Sequence, residues 1–281
     1  MIKKLLGAIA LTLTATVAMA AGGGYKLDAA PDRINDMASL QNGAKLFVNY
    51  CLNCHSANAM RYNVLTELGL TDEEIKKNLL FTADKVGDLM HIAMTPTDAK
   101  NWFGMTPPDL SVIARAKSTT MGPSGVDYIY TFLRTFYRDT TQKTGWDNAV
   151  FPSVGMPHAL WQLQGPVTQT HVAIHPVEKD GAKVWERTTT THDAQGYSTV
   201  TTEPMQNYTG PVVDKVSFQP ANAAQAAAYD NNVADLSSFL GWMAEPNQLF
   251  RKKLGVWVLL FLGLFFVVAW RLNAAYWKQV K

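Results

Sequence analysis

The chain has 281 residues, with 25 lysines and arginines against 23 aspartates and glutamates and a formal net charge of +2. This charge is segregated, because residues 251–281 carry six basic residues and no acidic one, whereas residues 21–250 carry 17 basic and 23 acidic residues. An acidic body followed by a basic tail argues against nucleic-acid binding. It fits both the steering of a basic protein partner at low salt and an ordinary soluble surface.

The N-terminus has the pattern of a secretory signal peptide. Lys3 and Lys4 precede an apolar run over residues 5–17, and Ala18-Met19-Ala20 supplies a small-x-small cleavage site. The run is short for a membrane span, which makes an uncleaved anchor the weaker alternative. We therefore predict that residues 1–20 are removed and that residues 21–250 form an exported domain.

The stretch Cys51-Leu52-Asn53-Cys54-His55 contains both cysteines of the chain and carries the attachment signature of c-type haem. Residues three and four apart share a helix face, so both thiols can reach one edge of a porphyrin and His55 can offer its imidazole to the iron. A zinc site would need about four ligands, and a redox dithiol does not require the adjacent histidine. We predict covalent haem c on Cys51 and Cys54, with His55 as an axial ligand.

Apolar residues at helical spacing predict a mainly α domain around this motif. One helix leads into the motif from about residue 40, and a capping box at residues 71–74 opens a short helix through Leu80. Residues 95–108 are predicted as an irregular loop whose Trp102 and Phe103 cover the haem face. Further helices are expected from Pro107-Pro108-Asp109 onward and over residues 125–137, the latter with an apolar stripe of Ile129, Phe132, Leu133 and Phe136.

Residues 165–216 have the composition of a β-rich excursion. Residues 172–174 predict a short strand, and residues 184–190 and 197–202 predict a hairpin around residues 192–196. Residues 221–228 are expected to be an alanine-rich connector. A last helix follows, closed by Pro246 and with one apolar face formed by Val233, Leu236, Leu240 and Met243.

Residues 254–270 are uncharged and predict one C-terminal transmembrane helix, with residues 251–281 as the anchor and tail. Arg271 can snorkel, and Tyr276 and Trp277 suit the membrane interface; a buried core helix is the alternative. Three basic residues flank the run on each side, so the positive-inside rule does not orient it. The signal peptide and the haem motif orient the helix, because both place the haem domain outside the cytoplasm. The C-terminus is then expected in the cytoplasm.

The second axial ligand decides what the iron can do, since an open position binds small molecules and a capped iron passes electrons. A methionine ligand raises the reduction potential. Met105 and Met156 both lie in Gly-Met loops followed by proline, where a side chain can reach across a haem edge. The residues alone leave both methionines open, with His158 as a rival.

Several motifs together resemble the cytochrome c1 family, the haem subunit of the cytochrome bc1 complex. The resemblance spans nearly all of the chain after the signal peptide, and Pro107-Pro108-Asp109-Leu110-Ser111 makes it more specific than the haem motif alone. The other matching pieces are Cys51-Leu52-Asn53-Cys54-His55-Ser56, Asp127-Tyr128, Met156-Pro157 and Ala244-Glu245-Pro246 before the basic cluster and anchor.

The resemblance implies a class I cytochrome c-like haem domain with His55 and Met156 as axial ligands, which demotes Met105. It implies a basic contact to a haem propionate in the region of Arg115 and Lys117, and packing of Tyr128 near the haem. Residues 165–216 are longer than the corresponding link in mitochondrial relatives, so the resemblance assigns them no role.

The predicted function is that of a one-electron carrier at the periplasmic face of a bacterial inner membrane, and not of an enzyme on its own. The resemblance implies a complex with cytochrome b and a Rieske iron–sulfur protein, which would supply electrons for a soluble or tethered c-type cytochrome. The alternatives are a membrane-anchored haem enzyme or gas sensor with an open iron site, and a scaffold subunit with structural haem.

Overall fold

A computed structural model of the chain describes residues 25–179 and 182–278. The predicted signal peptide, residues 1–20, lies outside the described residues. The first half of the described chain is built mainly from short helices, in chain order α1 Met37–Leu46, α2 Asp72–Asn78, α3 Pro96–Phe103, α4 Ile113–Ala116, α5 Gly125–Arg134 and α6 Trp161–Gln164. Two long helices follow the sheet-rich region, α7 Ala223–Ala244 and α8 Gln248–Trp277.

The strands form small antiparallel pairs beside the helices and one larger antiparallel sheet. Within the described residues, β1 Ala57–Arg61 pairs with β2 Leu89–Met90, and β3 Phe136–Arg138 pairs with β4 Trp146–Asn148. The larger sheet has the order β7-β6-β5-β8 and consists of β5 Val167–Lys179, β6 Ala182–His192, β7 Ser198–Met205 and β8 Val213–Pro220. The expected hairpin around residues 192–196 is confirmed as β6 and β7, whereas β8 was not expected.

The helical core lies where α1 crosses α7. Gly43 allows this close approach, because a Cβ atom at that position would lie 2.4 Å from the carbonyl oxygen of Asp235. Phe47 packs on Phe239 at a ring-centroid distance of 5.7 Å, and both side chains are fully buried. This contact fixes the end of α1, from which the haem motif continues.

Two helix predictions are correct at their N-termini, the first for the reason given and the second with a cap that was not expected. Thr71 and Glu74 form both hydrogen bonds of a capping box at the start of α2. Ser124 and Asp127 form a second capping box at the start of α5. The apolar stripe of α5 faces the core, but the helix ends at Arg134 and Phe136 continues into β3.

Three expectations in the irregular regions are wrong. Residues 95–108 contain α3, capped by the Thr95 side chain and ended by Gly104 at a φ of 78°. The helix expected from Pro107 begins only at Ile113, and the alanine-rich stretch 221–228 is the start of α7, capped by Asn222. A mixture of helices with a sheet-rich region is therefore observed, and neither a mainly α class nor a class I arrangement is confirmed.

The helix α8 is long and apolar enough to cross a membrane. It spans 30 residues, which at about 1.5 Å per residue exceeds a hydrocarbon core of about 30 Å. None of its described side chains is buried against the rest of the protein. This exposure of a continuous apolar surface is consistent with membrane anchoring.

Candidate functional site

The haem motif begins at the last residue of a π-helical turn. The turn covers Phe47–Cys51 and extends α1 by five residues. The carbonyl oxygen of Cys51 then accepts hydrogen bonds from the backbone N–H groups of Cys54, at 3.1 Å, and His55, at 2.9 Å. Both thiols and the imidazole are thus carried on one tight turn, in agreement with the spacing argument.

His55 is oriented by a backbone carbonyl from a distant segment. Its Nδ1 atom lies 2.7 Å from the carbonyl oxygen of Pro108, so Nδ1–H donates and Nε2 keeps its lone pair. Burial lowers the pKa of His55, although the hydrogen bond to Pro108 and the charge of Asp109 act in the opposite direction. A neutral imidazole whose other nitrogen is held by a carbonyl is the form in which histidine binds a metal.

The segment that supplies this carbonyl is bonded to the residues just after the haem motif. The N–H of Leu110 donates to the Ser56 carbonyl at 2.9 Å, and the N–H of Asn58 donates to Asp109 Oδ2 at 2.7 Å. Ser111 Oγ accepts from the N–H of Ala59 at 2.9 Å. Two segments that the resemblance treated as separate motifs therefore form one structural unit.

Cys51, Cys54 and His55 open onto a cleft of about 1390 Å³, its mouth included. Its wall is predominantly apolar and comes from the π-helical turn, from α3, α4, α5 and α7, and from the neighbouring loops. The lining side chains include Tyr50, Phe103, Pro107, Leu110, Ile113, Ile129, Phe132, Leu133, Phe151, Val154 and Leu240.

The chemistry of the donors fits a covalently attached haem. Both cysteines are free of a disulfide. Burial and the neighbouring Cys54 raise the pKa of the Cys51 thiol to about 12, and burial raises the pKa of Cys54. Neutral thiols are slow redox nucleophiles, whereas thioether bonds are neutral and suit an apolar wall.

Met105 and Met156 both line the cleft. Met156 is half-buried against the core, whereas Met105 is 51% exposed. Met105 lies over the Met156 loop, since a Cβ atom on Gly155 would be 3.1 Å from the Met105 sulfur. The axial role of Met156 stays a prediction, and its burial favours it over Met105.

His158 also reaches the wall of the cleft but is held in the core. Its ring stacks on Phe136 with centroids 4.7 Å apart, and Nε2 is 2.9 Å from Gln164 Oε1. Burial lowers its pKa to about 3, against the opposing effect of the bond to Gln164. His91, by contrast, is exposed and bonded to Asn58. The contacts of His158 with Phe136 and Gln164 indicate a structural role for this residue.

The other predicted haem contacts separate into two groups. Lys117 and Tyr128 line the cleft, and the Lys117 ammonium lies 4.8 Å from the centre of the Tyr128 ring. Tyr128 also stacks on Phe132 at 6.0 Å. Arg115 is exposed and is not among the residues that line the cleft. All three roles stay predictions.

Sequence reasoning missed the Pro108 carbonyl, because a backbone acceptor leaves no signal in residue type. It also missed Phe151 and Val154, which lie in a loop without periodicity. Of the two aromatic residues expected over the haem, Phe103 lines the cleft, but Trp102 is 67% exposed.

Comparisons with known proteins agree with this site. The profile described as the Cytochrome C1 family matches residues 31–280. The chain is 38% identical to "Cytochrome c1" of Allochromatium vinosum over 99% of both chains, and 28% identical to "Cytochrome c1" of Rhodospirillum rubrum over 88% of this chain and 83% of that one. It is also 39% identical to "Ammonia monooxygenase gamma subunit" of Nitrosomonas europaea over 100% of this chain and 99% of that one.

The profile match and the likeness to curated relatives along almost the whole chain agree with the cleft, its paired thiols and its imidazole. The chain therefore belongs to the cytochrome c1 family, whose members are electron-transfer subunits that bind haem c covalently.

Proposed function

We propose that this protein is the one-electron carrier subunit of a bacterial cytochrome bc1 complex. The observation that carries the proposal is that Cys51, Cys54, His55 and Met156 line one apolar cleft. The bound haem c supplies reversible one-electron chemistry, and no protein acid, base or nucleophile is needed. The helices around the cleft act as a class I cytochrome c-like haem domain.

The residues of the cleft have separate tasks in this proposal. Cys51 and Cys54 would hold the haem through thioether bonds, and His55, oriented by Pro108, would be one axial ligand. Met156 would be the other, and a thioether ligand would raise the reduction potential. Apolar side chains such as Phe132 and Leu133 exclude water, which further favours the less charged, reduced state.

Residues near the mouth of the cleft assist in binding. Lys117 is held beside Tyr128 and can place its charge near a haem propionate, and Tyr128 packs against the haem itself. Lysine acts here as a point charge, without the bidentate geometry of arginine. Arg115 contributes to the positive potential of the same region from the surface.

Family membership supports a set of partners within a membrane complex. Electrons arrive from a Rieske iron–sulfur protein and leave to a soluble or tethered c-type cytochrome, within a membrane complex that contains cytochrome b. Residues 1–20 are a cleaved signal peptide, residues 21–250 the periplasmic haem domain with its β-rich excursion at 165–216, and residues 251–281 the anchor. The haem domain thus lies on the periplasmic side of the inner membrane, and the C-terminus is cytoplasmic.

The full-length protein purified from membranes tests this function. We expect low-spin haem with a methionine-to-iron charge-transfer band, little reaction with carbon monoxide, and co-purification with a multi-span cytochrome b. High-spin haem that binds carbon monoxide readily would instead favour a haem enzyme or gas sensor. A redox-inert haem in an active complex would favour a scaffold subunit.

A further inference from the structure

The loop that carries Met156 is attached to the strand β4 by two buried polar side chains. Asp147 and Asn148 end this strand and are 6% and 0% exposed. Buried polar groups are retained where they are fully hydrogen-bonded, because an unpaired one is costly. The bonds of these two residues therefore show what they stabilise.

Asp147 closes the loop directly before Met156. Its Oδ1 atom accepts from the N–H of Asn148 at 2.8 Å and from the N–H of Val154 at 3.2 Å. Val154 is buried and lies two residues before Met156. One carboxylate oxygen thus ties both ends of the segment 148–154 together.

Asn148 fixes the first half of the same loop to the wall of the cleft. Its Oδ1 atom accepts from the N–H groups of Val150, at 2.9 Å, and Phe151, at 3.1 Å. Its Nδ2 atom donates to the carbonyl oxygen of Phe132 at 2.7 Å. Phe132 lies on α5 and lines the cleft, so the loop keeps a fixed position relative to that wall.

The loop needs such support because its own backbone is strained. Ser153 has a φ of 59°, a left-handed conformation that non-glycine residues rarely adopt. Strained residues of this kind persist where the surrounding structure holds them. Without the acceptors from Asp147 and Asn148, the segment can relax and carry Met156 with it.

We propose that Asp147 and Asn148 are positioning residues that hold Met156 at the axial position. The proposal rests on the proposed function, in which Met156 is a ligand. These residues do not touch the iron; they limit the conformations of the loop, so the methionine is already in place when it binds. Pre-organisation of this kind strengthens binding because less conformational entropy is lost.

The strand pair β3–β4, which carries Asp147 and Asn148, is in turn held by the sheet-rich region. The Tyr137 hydroxyl on β3 donates to Asp147 Oδ2 at 3.4 Å, and the Tyr137 ring lies 4.9 Å from the His192 ring on β6. Asp147 therefore has a separable second contact. Removing the Tyr137 hydroxyl leaves both bonds of Oδ1 intact, which provides a matched control.

The test uses the full-length holo-protein, three substitutions in the contacts of Asp147 and one control substitution elsewhere. Asp147→Ala removes the acceptor for Val154, Asp147→Asn keeps an oxygen in the same place, and Tyr137→Phe removes only the second contact. The readouts are the methionine-to-iron charge-transfer band, the midpoint potential and the fraction of haem that binds carbon monoxide. Asp235→Ala, which breaks contacts between α7 and residues 33–42, controls for general destabilisation.

We expect Asp147→Ala to weaken the band, lower the potential and raise the carbon monoxide-binding fraction about tenfold, as for the loss of one buried hydrogen bond to the loop. Asp147→Asn and Tyr137→Phe should resemble the unchanged protein, and Asp235→Ala should lower stability alone. If Asp147→Ala does not accumulate, Asp147→Glu keeps the charge but displaces the acceptor, and the same changes are expected.

An unchanged band and potential in Asp147→Ala or Asp147→Glu would overturn the proposal, as would equal losses in Asp147→Ala and Asp147→Asn. Met156→Ala is measured in parallel. If it leaves the band intact, the ligand assignment in the proposed function has failed, which is a different result from failure of the positioning role.

Discussion

The Nδ1 atom of His55 lies 2.7 Å from the carbonyl oxygen of Pro108. This bond joins the turn that carries the thiols to the segment Pro107-Pro108-Asp109, more than fifty residues later in the chain. A carbonyl that accepts from a ligating histidine fixes the ring orientation and increases the basicity of the other nitrogen. The position of Pro108, and not its side chain, is therefore what the site requires.

Asp109 determines that position, so we expect Asp109→Ala to loosen the Pro108 carbonyl. Asp109 accepts from the N–H groups of Asn58, at 2.7 Å, and Ser111, at 2.8 Å. Because the side chain is exposed, water replaces part of both bonds, and the free energy of unfolding should fall by only about 1 kcal/mol. Urea unfolding of the holo-protein measures this, with Asp98→Ala at the exposed start of α3 as a helix-cap control. Because the Pro108 carbonyl orients His55, the midpoint potential of Asp109→Ala should also differ from that of the unchanged protein. An unchanged potential would contradict the link to His55.

Met156→Ala should leave haem attached but lower the midpoint potential and open the iron to carbon monoxide, because the axial thioether is lost. Met105→Ala should change neither property strongly, since Met105 is 51% exposed and its sulfur packs near Gly155, whereas Met156 is half-buried against the core. Redox titration and carbon monoxide difference spectra of the two variants measure this. The opposite ranking would assign the ligand to Met105.

Elements with their own local signal were predictable from sequence. The capping boxes at Thr71 and Ser124 mark the first turns of α2 and α5, because the cap residue and its acidic partner lie within four residues of each other. The turn residue Gly196, at a φ of 95°, similarly marks the β6–β7 hairpin. In each case, short-range hydrogen bonding decides the conformation.

What depends on tertiary contacts could not be predicted. The helix α3 is an exception, because its start signals are local, with Pro96 in the first turn and a cap at Thr95, and they were not recognised. Strand β8 pairs with β5 in a register from Ile174–Val213 to Val167–Pro220, far apart in the chain, and its alternation is weak. In the site, the cysteines and His55 were identifiable by spacing, whereas the roles of the Pro108 carbonyl and Asp147 depend on the fold.

Asp139 should make the protein less stable in acid. Burial raises its pKa, but hydrogen bonds from the Thr141 hydroxyl and N–H outweigh this, so its pKa lies below the ordinary value of 3.8. The unfolded chain therefore binds the proton more tightly, and the stabilisation is complete above pH 3.8 and is lost as the pH falls through the lower, folded value. Urea unfolding from about pH 6 to about pH 3 should show a steeper loss for the unchanged protein than for Asp139→Asn. Parallel curves would contradict this.

A stop codon after Phe250 should give a soluble domain that retains haem. The deletion removes most of α8, none of whose described side chains is buried, so the packing of α1, α5 and α7 in the core is unchanged. The deletion also breaks the ion pair of Arg251 with Glu245, which is at the surface, is screened by water and contributes little to stability. Fractionation and a haem stain measure the outcome, with the full-length protein as the membrane-bound control. A truncated protein that stays in the membrane after a carbonate wash would show that the anchor includes other residues.

Excision of the four-stranded sheet should yield a protein that folds and binds haem but is less stable. The sheet leaves and rejoins the helical region at one point, where the N–H of Ala221 donates to the Pro166 carbonyl at 3.0 Å, so a short glycine linker can replace residues 167–220.

The loss of stability should come from the hairpin tip, whose Gly196 carbonyl accepts from the Thr140 N–H at 3.0 Å and from its hydroxyl at 3.1 Å. Gly196→Ala is the milder companion variant, because its φ of 95° and a Cβ contact of 3.0 Å with Arg138 both oppose a side chain there. Thermal unfolding should rank the intact protein above Gly196→Ala and the excised protein. Equal unfolding temperatures would mean that the sheet is independent of the haem domain, and failure to attach haem would mean that it is part of that domain's folding unit.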